Sequence, residues 1–134
     1  SVARYQPILE ELQAGRCFYC DGRIRSNSAV DHFIPWSRYP LDLGHNFVLS
    51  HAGCNGRKSD YLAANQHLER WVARNEERGQ NLEAAFDREA LPHDAVASRH
   101  IAKWAYEQAE IAGALVWVRG KEMAYLGPGW RGLF

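Results

Sequence analysis

Cysteine is scarce in this sequence, and neither sign of charge is in excess. Three cysteines in 134 residues would leave one thiol over in any simple disulfide framework. Sixteen basic and sixteen acidic side chains give a formal net charge of zero, which is not the strongly basic balance of many nucleic-acid-binding proteins. The cysteine count therefore argues against a disulfide scaffold, and the charge balance argues mildly against a nucleic-acid partner.

Long apolar runs are also missing. No run approaches the roughly 20 residues that a membrane-spanning helix needs, and the N-terminus lacks a signal-peptide pattern. We therefore expect a cytoplasmic protein without a membrane partner. A hydrophobic content of 46% with 24% charged residues is typical of a folded chain, and 134 residues suffice for one domain. Because the chain begins with Ser, we expect it to belong to a longer parent protein with further domains.

Two pairs of soft metal ligands share one spacing. Cys17 and Cys20 enclose two residues, and so do His51 and Cys54. Three thiolates and one imidazole suit tetrahedral Zn²⁺, so these four residues are predicted to bind a structural zinc ion. A thioredoxin-like redox pair at Cys17 and Cys20 is the alternative, but the α/β pattern that accompanies that motif is missing.

Residues 30–60 have the pattern of a strand, a loop, a second strand and a helix. The apolar run 30–34 predicts a strand, the Pro and Gly residues after it an irregular loop, and the run 47–49 a return strand. No strong helix breaker follows Gly56, so a helix is predicted to begin near Asn55 and to continue.

The polar residues of this stretch follow a known order. The order is an Asp-His pair at 31 and 32, then Asn46, then residues 54–58. Written as a pattern it is DH…N…CN-x-x-K. In this pattern the chain resembles the HNH endonucleases, the zinc-braced ββα-metal nucleases. The resemblance implies an α+β fold, a ββα-metal HNH finger with a structural zinc, to which this sequence adds C-terminal helices and a short β-hairpin. It also implies metal-dependent hydrolysis of phosphodiester bonds, in DNA rather than RNA.

The matching positions imply a role for each residue. His32 would be the general base, because a neutral imidazole can take a proton from water near neutral pH. Asp31 and Asn55 would bind a catalytic Mg²⁺ or Mn²⁺ ion through oxygen, the donor atom that these ions prefer. Asn46 would brace the loop so that the base is oriented. Since neighbouring residues of a flat strand point to opposite faces, Asp31 and His32 share one site only if the strand twists or bulges there.

Basic side chains around the stretch are candidates for nucleic-acid binding. Arg57 and Lys58 are expected in the first turns of the predicted helix, whose N-terminus favours phosphate, and Arg38 lies in the loop. Two alternatives stay open. One is a zinc-finger-like nucleic-acid-binding module without catalysis, and the other is a protein-interaction domain, which the neutral net charge favours.

The second half of the chain carries no comparable motif. We take residues 1–66 as the nuclease finger and residues 67–134 as a mainly helical extension packed on it, in one compact domain. Apolar stripes predict a helix that ends at Gly79, a second helix after it and a third that reaches Gly113. Two apolar runs near 115–126 predict a β-hairpin. The histidines of this half show no metal-ligand spacing.

Overall fold

Four helices and two separate two-stranded sheets make up the computed structural model, which describes residues 1–134. The helices are α1 (Gln6–Leu12), α2 (Ala52–Lys58), α3 (Asn65–Arg88) and α4 (Ala95–Ala112); the strands are β1 (Ser28–His32), β2 (Phe47–His51), β3 (Leu115–Arg119) and β4 (Glu122–Tyr125). Both sheets are antiparallel. The predicted α+β class is therefore confirmed. No helix combines the length and the apolar character needed to cross a membrane.

The β1–β2 sheet has a hydrophobic cluster on each face. Val48 of β2 belongs to the larger core of 20 buried residues, whereas its neighbours Phe47 and Leu49 belong to a smaller cluster of 7. This division follows from the alternation of side chains along a strand. The larger core also contains Trp71 of α3 and Trp117 of β3, so residues from both halves of the chain pack in it.

α2 and α3 are separate helices, so the prediction of one continuous helix from Asn55 is wrong. α2 begins at Ala52 and ends at Lys58, where Ser59 adopts a φ of 53° and the chain turns. Residues 62–64 then run beside β3 and exchange two backbone hydrogen bonds with Trp117. Local spacing cannot show this contact, because Trp117 is far away in the sequence.

α3 runs without interruption through Gly79, where the sequence predicts a stop. The carbonyl oxygen of Gly79 accepts a hydrogen bond of 2.9 Å from Nε2 of the buried His45. A glycine inside a helix costs only about 1 kcal/mol relative to alanine, which the packing of a 24-residue helix outweighs. Gly44 packs against Phe86 of the same helix so closely that a Cβ would lie 2.3 Å from the ring. The loop before β2 therefore lies directly on α3.

The ends of α4 and the last hairpin agree with the sequence prediction. The Asp94 side chain accepts the N–H of Ala97 at the start of α4, and Gly113 ends the helix with a left-handed φ of 63°. β3 and β4 then form the predicted hairpin. The boundary expected between residues 66 and 67 falls in the first turn of α3, and the division of the chain there stays a prediction.

Candidate active site and zinc site

The four predicted zinc ligands lie together. Their ligand atoms are all within 4.8 Å of one another: Cys17, Cys20, His51, Cys54. The two cysteines of the first pair lie in a loop before β1, which a bridge between Arg16 and Arg23 closes. His51 is the last residue of β2, and Cys54 lies in the first turn of α2. The strand-to-helix connection therefore brings the second ligand pair to the first.

The His51 ring presents one nitrogen to the thiols. Its Nε2–H donates to the carbonyl oxygen of Arg23 at 3.0 Å, so Nδ1 carries the lone pair. Nδ1 lies 3.3 Å from Cys20 Sγ and 3.9 Å from Cys54 Sγ. Histidines that bind a metal commonly donate their second N–H to a backbone carbonyl in this way. The arrangement fits a tetrahedral zinc ion with Nδ1 as the His51 ligand.

The pKa values of the thiols also bear on metal binding. Burial raises the pKa of Cys54 to about 12, with a further contribution from Cys17 and Cys20. Burial acts in the same direction on Cys17, but the backbone N–H groups of Cys20 and His51 outweigh it and lower the pKa of that thiol. Three thiols at this spacing repel one another when ionised, whereas a bound metal ion holds them as thiolates.

Asp31 is a buried residue of β1 whose carboxylate has two protein partners. The Tyr19 hydroxyl donates to Oδ2 at 2.5 Å, and the Lys58 ammonium lies 3.4 Å from the same oxygen. Burial raises the pKa of Tyr19 well above its ordinary value, so its hydroxyl keeps the proton that it donates. Lys58 Nζ also donates to the carbonyl oxygen of His32 at 3.2 Å.

The position of Lys58 differs from the one predicted for a phosphate contact. Its side chain has 0% exposure, and it lies in the last turn of α2, where the helix dipole is negative. Burial lowers the pKa of Lys58, and the Asp31 carboxylate raises it. The sequence interpretation placed the helix start near Asn55 instead of Ala52, which shifted Lys58 to the wrong end. Lys58 is an internal partner of Asp31, not a surface cation.

Asn55 lies on the same face of α2 as Lys58, because residues one helical turn apart are neighbours on the helix surface. Its side chain is half-buried and makes no hydrogen bond within the protein. Lys58 contacts Asp31, so the face of α2 that carries Lys58 and Asn55 is turned towards β1. The side-chain oxygens of Asn55 and Asp31 are of the kind that Mg²⁺ or Mn²⁺ prefers, so the residues fit such an ion.

His32 projects from the other face of β1. The register of β1 and β2 is unbroken at this point and pairs Asp31 with Val48 and His32 with Phe47. The His32 ring accordingly packs against Phe47, with ring centres 4.7 Å apart, and against Trp36 at 5.9 Å. No bulge in β1 brings the side chains of Asp31 and His32 to one face.

Asp42 is a partner of His32 that the sequence did not predict. Its Oδ1 lies 2.7 Å from His32 Nε2, so the ring donates Nε2–H to this carboxylate and Nδ1 is left as an acceptor. The His32 side chain is 20% exposed, so water can reach it. An acidic residue between a proline and a glycine in a loop is typical of an ordinary turn, and no spacing rule relates it to His32.

Asn46 connects the start of β2 to the chain after β1. Its side-chain Oδ1 accepts the N–H of Ile34 at 2.8 Å, and its Nδ2 donates to the Ile34 carbonyl at 3.0 Å. From the other side, Arg74 of α3 donates to the carbonyl oxygens of His45 at 2.8 Å and Phe47 at 2.7 Å. Asn46 therefore makes the contacts that a brace needs, and its effect on the orientation of the base stays a prediction.

Comparison with known proteins bears on the segment that carries both sites. The family model described as HNH endonuclease matches residues 17–64. We call residues 17–64 the HNH segment, because they match this model. The match begins at the first zinc ligand, Cys17, and ends just before α3. No curated protein and no solved structure matched the chain.

The similarity bears on the chemistry of the HNH segment. HNH endonucleases are nucleases, so the similarity supports a hydrolase whose substrate is a nucleic acid. The four clustered ligands support a metal site with the donors that zinc prefers. The residues that the pattern singled out therefore lie in the cluster of potential zinc ligands and on α2 and β1, with His32 on the opposite face of β1 from Asp31.

A second group of potential metal ligands lies outside the HNH segment. The ligand atoms of Glu83, Asp87 and His93 are within 4.8 Å of one another, so the expectation that His93 lacks partners is wrong. His93 Nε2–H donates to Asp87 at 2.6 Å, and the Asp87 side chain is 65% exposed. The chain after α3 turns back and brings His93 to the helix, which spacing alone does not reveal.

Proposed function

We propose that the HNH segment hydrolyses phosphodiester bonds in DNA, with His32 as the general base and a divalent cation bound by Asp31 and Asn55. The observation that carries this proposal is the hydrogen bond between His32 and Asp42, which holds the ring and leaves Nδ1 as an acceptor. An imidazole in that state can take a proton from an attacking water molecule near neutral pH.

His32 and Asp31 lie on opposite faces of β1, but both are at its C-terminal end. In displacement at phosphorus the attacking and leaving oxygens lie roughly in line, on opposite sides of the phosphorus atom. The proposal therefore requires the phosphate to bind at the end of β1, where it can approach both side chains. A Mg²⁺ or Mn²⁺ ion held by Asp31 and Asn55 would neutralise charge on the phosphate and on the leaving oxygen.

Exposed side chains near the site can hold the substrate. Arg57 is exposed at the end of α2, and Arg38 is half-buried in the loop after β1. Trp36 is 52% exposed and contacts the His32 ring, so its indole is available to stack on a base beside the cleaved bond. We assign phosphate contacts to Arg38 and Arg57 and leave Lys58 out, because it is buried.

One observation favours a second candidate function, a zinc-braced nucleic-acid-binding module without catalysis. The Lys58 ammonium lies 3.4 Å from the Asp31 carboxylate, so the protein already supplies a cation there. In such a module this buried pair is purely structural, and no Mg²⁺ ion competes with Lys58. The two candidates differ in whether cleavage occurs at all.

Nicking of a supercoiled plasmid separates the two candidates. We expect the parent chain to nick DNA with Mg²⁺ and not with EDTA, and His32→Ala to lower the rate by about a hundredfold or more, the usual contribution of a general base. His93→Ala is the matched control, because His93 also pairs with an aspartate at 2.6 Å but lies outside the HNH segment.

The outcomes of this assay are distinct. Nicking by His32→Ala at the parent rate would remove His32 from the mechanism. DNA binding without nicking in either Mg²⁺ or Mn²⁺ would favour the non-catalytic module. An RNA substrate of the same sequence, assayed in parallel, tests the preference for DNA.

A further inference from the structure

Tyr19 connects the zinc site with the candidate active site. Along the chain it lies between the zinc ligands Cys17 and Cys20. Its hydroxyl donates a hydrogen bond of 2.5 Å to Oδ2 of Asp31 in β1. The loop that carries half of the zinc ligands is thus hydrogen-bonded to the carboxylate that is expected to bind the catalytic cation.

The Tyr19 ring is held in place by its neighbours. It is 6% exposed, and its ring packs edge-on against His67 at 5.3 Å and Trp117 at 5.2 Å between ring centres. Closely packed aromatic side chains in a core have little freedom to move. The hydroxyl therefore has a set position, and the Asp31 side chain adopts the orientation that meets it.

The two partners of Asp31 use the same carboxylate oxygen. Both Tyr19 and Lys58 contact Oδ2, whereas no protein group hydrogen-bonds to Oδ1. Oδ1 is therefore left to coordinate a cation. Without the Tyr19 hydroxyl, the carboxylate would have only the Lys58 ammonium as a partner and could turn both oxygens towards it. A divalent ion would then compete with Lys58 for the same atoms.

We propose that Tyr19 is a positioning residue for the catalytic cation, because it holds Asp31 Oδ2 and so keeps Oδ1 free to bind the ion. This inference rests on the proposed function, since it concerns the same cation site. Groups that orient metal ligands typically contribute about 10- to 100-fold in metal affinity or activity. Tyr19 should accordingly affect the affinity for the cation more than the rate at saturating cation.

Tyr19→Phe tests the proposal because it removes only the hydroxyl. Tyr106→Phe is the matched control: Tyr106 is also buried, and its hydroxyl donates to the carbonyl oxygen of Ala63 at 2.6 Å instead of to Asp31. Mn²⁺ binding is measured by electron paramagnetic resonance of the free ion. Asp31→Asn defines the Mn²⁺ binding that does not involve this site.

We expect Mn²⁺ to bind Tyr19→Phe about tenfold more weakly than the parent, and Tyr106→Phe with parental affinity. Both variants should keep about one zinc ion per chain. Nicking by Tyr19→Phe should be reduced at low Mg²⁺ and recover at high Mg²⁺, which a general loss of stability would not produce.

Two results would overturn the proposal, and they are distinguishable. Equal Mn²⁺ affinities of the two Tyr→Phe variants, with weaker binding by Asp31→Asn, would exclude Tyr19 and leave the proposed function intact. A parent chain that binds no more Mn²⁺ than Asp31→Asn would overturn the proposed function and the role of Tyr19 together.

A measurement on the parent chain covers the case in which Tyr19→Phe does not fold. The Tyr19 hydroxyl proton should be protected from exchange and visible by NMR, because the group is buried and hydrogen-bonded. Its resonance should shift when Mg²⁺ is added. A resonance that stays unchanged while the cation binds would overturn the proposal.

Discussion

His32 has one acidic partner, and this partner decides which ring nitrogen is free. The carboxylate of Asp42 accepts the Nε2–H, so the lone pair is on Nδ1. In the other tautomer, Nδ1 would carry the proton and could not act as a base. A single loop carboxylate therefore determines whether the histidine at the end of β1 is ready to accept a proton.

We predict that Asp42→Ala lowers the turnover rate of nicking about tenfold, which is part of the contribution expected from the base itself. Asp42→Asn should lose less, because its side-chain oxygen can still accept the Nε2–H. KM for DNA should stay near the parent value in both variants. Asp87→Ala is the control, since it breaks the similar pair with His93 elsewhere. Parental turnover in Asp42→Ala would show that the hydrogen bond does not matter for catalysis.

At the scale of secondary structure, a predicted zinc ligand lies in the first turn of α2. Cys54 lies in the first turn of α2, directly before Asn55. A zinc ion bound by Cys54 and His51 would therefore fix where the helix begins and where the Asn55 side chain lies. Binding of a structural zinc ion is coupled to folding, whereas Mg²⁺ held by two oxygen ligands exchanges readily.

We predict that brief treatment with dilute EDTA abolishes nicking, that Mg²⁺ alone restores it, and that about one zinc ion per chain remains throughout. Cys54→Ser should release the zinc ion and lower the melting temperature, with loss of nicking. Elemental analysis and thermal unfolding monitor the two effects. An active chain without zinc, together with a Cys54→Ser variant of parental stability, would contradict the zinc assignment.

α3 holds the start of β2 through one guanidinium. Arg74 donates to the carbonyl oxygens of His45 and Phe47, on either side of Asn46. Burial lowers the pKa of Arg74 to about 10, so the group is still charged at neutral pH. This contact joins the long helix to the residue that braces the loop of the HNH segment.

Arg74→Ala should lower the free energy of unfolding by about 2–3 kcal/mol, because hydrogen bonds from a charged group are lost and the Phe47 carbonyl loses its Arg74 donor, while Asn75 still donates to the His45 carbonyl. Arg74→Lys should be intermediate, since an ammonium keeps the charge but lacks the planar fork that reaches both oxygens. Urea unfolding measures both values. An Arg74→Ala variant as stable as the parent would show that this contact contributes nothing.

At the scale of the whole molecule, two buried histidines couple stability to pH. Burial lowers the pKa of His45 and of His67. Their Nε2–H groups donate to the carbonyl oxygens of Gly79 at 2.9 Å and Val118 at 2.6 Å. Arg70 further disfavours a charge on His67. In the folded chain both rings therefore resist protonation at a pH where the unfolded chain accepts protons.

The stabilisation that comes from keeping the His45 and His67 rings neutral is fully present above about pH 6.5, the ordinary histidine pKa. It decreases as the pH falls below about 6.5 towards the lower pKa values of the two rings in the folded chain. Urea unfolding between pH 5 and pH 8 should show that decrease. His67→Gln should flatten the acidic side of the curve, while the exposed His100→Gln should leave it unchanged. Identical pH curves for His67→Gln and the parent would exclude His67 as a source of the effect.

By itself, the sequence determined the α+β class, the four residues that cluster as potential zinc ligands and the last hairpin. These features depend on local spacing, since two-residue gaps between ligands, short apolar runs and a helix-ending glycine are read within a few positions. The order of Asp31, His32, Asn46 and Asn55 likewise indicated a resemblance to the HNH endonucleases, which the match over residues 17–64 confirms.

Only the tertiary structure decided how those residues are used. The pairing of His32 with Asp42, the burial of Lys58 against Asp31 and the link to Tyr19 all join side chains that no spacing rule relates. Each depends on where a loop or helix end packs. Their common physical reason is burial, because a polar group that loses water in the core must find a partner there, and the fold determines which partner is within reach.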